Sequence, residues 1–62
     1  MLYKGSFNIS GEIHKLYTQA NNKEDAFHNF MHQLAKKLKI RVCAIRQIFN
    51  GDKDNYKIEK VD

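Results

Sequence analysis

The sequence predicts an α+β fold: a two-layer ββαββ arrangement with one helix, at about residues 22–38, packed on one face of a mainly antiparallel four-stranded sheet. Three observations point there. Leu2 to Ile9 alternates, with Tyr3, Phe7 and Ile9 on one side and Lys4, Ser6 and Asn8 on the other. Phe27, Phe30, Met31, Leu34 and Leu38 recur at three- and four-residue spacing, the stripe of an amphipathic helix. The chain has 62 residues, room for a single domain, residues 1–62, with a small core.

The first element is a hairpin. Ser10-Gly11 supplies a two-residue turn, because glycine tolerates the positive φ that tight hairpins need. Glu12 to Ala20 then returns, placing Asn8 opposite Ile13, Ser6 opposite Lys15 and Lys4 opposite Tyr17. The other face holds Phe7, Ile9, His14, Leu16 and Thr18. Asn22 is a suitable N-cap for the helix, and Asp25 three residues on resembles a capping box. Glu24 and Asp25 stand where the helix dipole favours anions, and Lys36, Lys37 and Lys39 where it favours cations. Asn50-Gly51-Asp52-Lys53-Asp54-Asn55 reads as a turn, and Tyr56 to Val61 as the last strand. Phe7, Ile9, Leu16, Phe27, Phe30, Met31, Leu34, Leu38, Ile48 and Ile58 are the expected core.

Residues 40–49 satisfy two periodicities. As a strand, Ile40, Val42, Ala44 and Ile48 share a face, and the run is rich in β-branched residues. As a helix, Val42, Ile45, Ile48 and Phe49 share one. The strand completes ββαββ and is the expectation carried forward.

Tyr3-Lys4-Gly5-Ser6-Phe7, Gly11-Glu12 and Ala20-Asn21-Asn22-Lys23-Glu24-Asp25-Ala26 form a pattern of hairpin followed by a helix start. Residues 3–26 thereby resemble the archaeal ribosomal protein family LX, and the resemblance implies the fold. Leu34 to Ile40 followed by Ile45 to Gly51 is similar in register to a phage-repressor helix-turn-helix. That resemblance implies that Ala35 lets two helices approach and that Ile40 and Ile45 fill the angle between them. It also implies that Cys43, Ala44, Gln47 and Arg46 face a DNA major groove.

Charge carries the functional expectation. Between Asp25 and Asp52 there is no carboxylate, yet Lys36, Lys37, Lys39, Arg41 and Arg46 give that stretch a charge of +5, while the whole chain carries +4. A concentrated cationic segment suits a polyanionic or acidic partner. The expected function is a small, basic, non-enzymatic module that contacts nucleic acid or a ribonucleoprotein through residues 36–46. Tyr17 joins the expected contacts because it shares a hairpin face with Lys4 and Lys15, where its ring could stack on a base. One alternative is a phage- or plasmid-type protein that binds and inhibits a larger protein complex; another is a helix-turn-helix DNA-binding protein. Ile13, Tyr17 and Phe49, if outward, would suit a partner protein or a homodimer.

Other chemistries find little support. His28 and His32 are four apart on a helix, a spacing that can hold zinc, and His14 could add a ligand. Solvated helix histidines are the commoner case, so no metal or other cofactor is expected. Ser6 and Ser10 lack an elbow motif, and Asp52 and Asp54 lack the spacing of a calcium loop. A single cysteine, Cys43, is expected as a small buried hydrophobe in a reducing, cytoplasmic setting. No apolar run is long enough to span a bilayer.

Overall fold

The computed structural model describes residues 1–51 and 54–61. The Asp52 and Lys53 part of the expected turn, and with it the reading of Asp52, lies outside the described residues, as does Asp62. The element order is β1 (Leu2–Ile9), β2 (Glu12–Gln19), α1 (Lys23–Leu38), α2 (Val42–Ile48) and β3 (Tyr56–Lys60). The fold is α+β, but the sheet has three strands in the order β2-β1-β3, all antiparallel. The expected fourth strand is replaced by the second helix.

The hairpin has the register that its alternation predicts. Lys4 faces Tyr17, Ser6 faces Lys15 and Asn8 faces Ile13. Ser10 and Gly11 both take positive φ, 52° and 86°, and the Asn8 carboxamide oxygen accepts from the Gly11 N–H. This is the backbone twist that suits a two-residue hairpin loop. β3 returns to the other side of β1, with Lys4 opposite Glu59 and Ser6 opposite Lys57. β1 is therefore the central strand, and both helices cover its Tyr3–Phe7 face.

α1 starts as its residues direct: the Asn22 Oδ1 accepts from the Asp25 N–H at 2.8 Å. It ends at Lys39, whose φ of 59° and ψ of 41° are left-handed. There the N–H groups of Lys39 and Ile40 both donate to the Ala35 carbonyl. Gln33 donates to the Tyr17 carbonyl and Asn29 to the Gln19 carbonyl, so α1 runs antiparallel to β2 and pins its edge.

The helical period wins over residues 42–48 for a packing reason. α1 reaches all three strands, and α2 packs against α1. A second helix directs Val42, Ile45 and Phe49 to one side, and Ile45 and Phe49 become fully buried. Phe7 is the hub. Its ring lies edge-on to Phe30 and to Phe49, with centroids 5.4 and 5.1 Å away, and stacks on Tyr56 at 5.7 Å. The short α2 is secured at its end by Asn55, whose amide donates to the Ile48 carbonyl at 2.8 Å.

Four further expectations are corrected by this helix. Phe49 belongs to the core and is not an outward docking residue, whereas Ile48, expected in the core, is 38% exposed. Cys43 is exposed, because two helical residues before Ile45 is the opposite face. Ile40 is also exposed, so it does not fill the angle between the helices as the helix-turn-helix resemblance implies.

Candidate nucleic-acid interface

The cationic segment folds into the corner between the two helices. Lys36 and Lys37 occupy the last turn of α1, Lys39 is its left-handed cap, and Arg41 is the N-cap of α2. All four are exposed. Among the described residues the ion pairs are His14–Glu12 and Lys57–Glu59, so none of the four pairs with a carboxylate. Local helix electrostatics accounts for part of this pattern. Cations at the end of α1 complement its dipole, but Arg41 sits at the start of α2, where the dipole favours anions. Arg41 also makes no side-chain capping bond, and α2 has no acidic residue in its first turn. Positive charge thus exceeds what the helices themselves require.

Arg46 leaves this corner. α2 returns along α1, and the Arg46 guanidinium reaches Nδ1 of His28 in the first half of α1. Nε2 of His28 in turn lies 3.2 Å from Nε2 of His32. His14 is elsewhere, 7% exposed on the inner sheet face with its Nε2 3.5 Å from Glu12. The three histidines are therefore not brought together, and the described residues contain no cluster of three ligating side chains.

Lys15 and Tyr17 lie on the outer face of the sheet, away from the helices, with Lys4, Ser6, Asn8, Ile13, Lys57 and Glu59. Tyr17 is 55% exposed. Lys57 and Glu59 pair at 3.1 Å, and among the described residues Lys4 and Lys15, on the same face as the tyrosine, have no carboxylate partner. The Gln33 amide donates to the Tyr17 carbonyl at 3.4 Å, which ties α1 to β2 one helical turn before Lys37.

A groove opens at the opposite edge, between the start of α1 and β3. Its lining includes Lys23, Glu24, Asp54 and Lys57, whose charges balance. The sequence-based list of contacts therefore divides into a corner (Lys36, Lys37, Lys39, Arg41), an inter-helix contact (Arg46) and a sheet face (Lys15, Tyr17). What sequence reasoning missed is the pairing of Arg46 with His28, since residues 18 apart can meet only once α2 turns back. Among the described residues no helix is long and apolar enough to cross a membrane. No protein-family model, curated protein or solved structure matches the chain.

Proposed function

We propose that this chain is a small non-enzymatic binding module that contacts the phosphates of nucleic acid, free or within a ribonucleoprotein, through the corner between α1 and α2. Lys36, Lys37, Lys39 and Arg41 make the contacts. The observation that carries the reading is Arg41: an exposed cation, without a carboxylate partner among the described residues, at the helix end where the dipole opposes it. A row of phosphates would relieve that repulsion, and release of condensed counterions would drive binding. The charge argument is independent of base sequence, so the expected affinity is generic and falls steeply with salt.

Titration of generic single- and double-stranded oligonucleotides at two salt concentrations tests it. Lys36→Ala combined with Lys37→Ala weakens binding to all sequences alike and flattens the salt slope by about two units. Gln47→Ala, on the exposed side of α2, leaves the pattern of preference unchanged; if it erases discrimination between duplexes, α2 reads bases as a helix-turn-helix would. If the unaltered chain binds no oligonucleotide at physiological salt, the reading falls, and a protein partner of the inhibitor type takes its place.

A further inference from the structure

His28 is in contact with both His32 and, across the two helices, Arg46, with no carboxylate in ion-pairing range among the described residues. Glu24 and Asp25 stand one turn before His28 on α1, and Asp25 also lines the shallow depression beside it with Gln19 and Asn21. α2 contributes Arg46 and no acidic residue. Lys36 stands one turn beyond His32, so His28, His32 and Lys36 form a line along the exposed side of α1 at four-residue spacing.

The hydrogen bonds have one consistent direction. A guanidinium can only donate, so Arg46 donates to His28 Nδ1. His28 then carries its proton on Nε2 and donates to Nε2 of His32. Both rings must be neutral for this relay to exist. A proton added to His28 appears on Nδ1 and faces the guanidinium, and a proton added to His32 appears on Nε2 and faces another N–H. In either case two donors confront each other beside a fixed positive charge. The relay therefore opens on protonation into cationic donors at the surface of both helices. The ligand class that satisfies such a set is an oxyanion with several acceptor oxygens. A metal ion is the poorer match, because Arg46 already occupies the far nitrogen of His28.

We propose that His28, His32 and Arg46 form a phosphate-binding site that fills as the two imidazoles take up protons, extending the cationic corner along α1 through Lys36. This rests on the nucleic-acid reading for the source of the phosphate, but not for the site itself. Phosphate and the protons on the two rings are thus linked: binding of either favours the other.

Histidine ring resonances, followed by NMR through a pH titration of the full chain, test the site with two probes. With inorganic phosphate, the titration midpoints of His28 and His32 rise by about half a unit, a roughly threefold gain in proton affinity, while buried His14 serves as the unaffected control. Arg46→Gln, at an exposed position, lowers that gain with the amide spectrum otherwise retained. Midpoints of His28 and His32 that move no more than that of His14 overturn the site. The second probe is a generic oligonucleotide. If phosphate moves both rings and the oligonucleotide does not bind, the site stands for free phosphate and the nucleic-acid reading fails. If the oligonucleotide binds and neither probe moves the rings, the corner stands and this site fails.

Discussion

Phe30 of α1 lies so close above Gly5 of β1 that a β-carbon at Gly5 would come within 2.9 Å of its ring. The same carbon would come within 2.5 Å of the Phe7 ring. Strand propensity alone would favour replacing this glycine, but contact with two fully buried aromatic rings decides the sign the other way. Gly5→Ala is expected to destabilise the fold by about 1–3 kcal/mol, the usual range for overpacking. Urea unfolding measures it, and a stabilised variant would show that the helix can lift without loss.

Lys39 adopts a left-handed conformation that glycine takes without strain. Lys39→Gly is therefore expected to stabilise the chain by about 1 kcal/mol. The same change removes a cation from the proposed corner, so nucleic-acid affinity falls and the salt slope flattens by about one unit. Thermal unfolding and binding should thus move in opposite directions. Parallel movement would mean that Lys39 has a structural part the corner reading does not include.

Asn22 accepts the Asp25 N–H at the start of α1. Asn22→Ala leaves that donor to solvent and should cost about 1 kcal/mol of stability. Because Asn22 is far along α1 from the basic corner, salt dependence of binding should not change. Paired denaturation and binding measurements distinguish the two effects.

Tyr17 and Lys15 share the outer sheet face, opposite the helices. Tyr17→Ala removes an exposed ring and is expected to change stability by no more than about 0.5 kcal/mol. The corner reading predicts unchanged duplex affinity. A severalfold loss confined to single strands would add the sheet face as a stacking platform, with Lys15 and Lys4 as its phosphate contacts.

The fold was legible where local pattern and packing agree. Alternation in Leu2 to Ile9, the Ser10-Gly11 turn and the Asn22 cap each act within a few residues, so the hairpin register and the start of α1 follow from them directly. Ile40 to Phe49 was not legible, since branched residues favour a strand locally while their spacing also fits a helix. Burial of Ile45 and Phe49 beside Phe7 decided for the helix. The candidate site divides the same way. The density of cations is plain in composition, but whether they converge depends on where the chain turns.

By itself, the sequence determined a hairpin with a known register, a capped helix and a run of cations free of nearby carboxylates in the chain, because each depends on neighbours close in sequence. Only the tertiary structure decided that residues 42–48 are helical, that Lys15 and Tyr17 lie on the layer opposite Lys36, and that Arg46 meets His28. The physical reason is burial: α2 folds back along α1 so that Ile45 and Phe49 leave water beside Phe7 and Tyr56, and that return sets which distant side chains become neighbours.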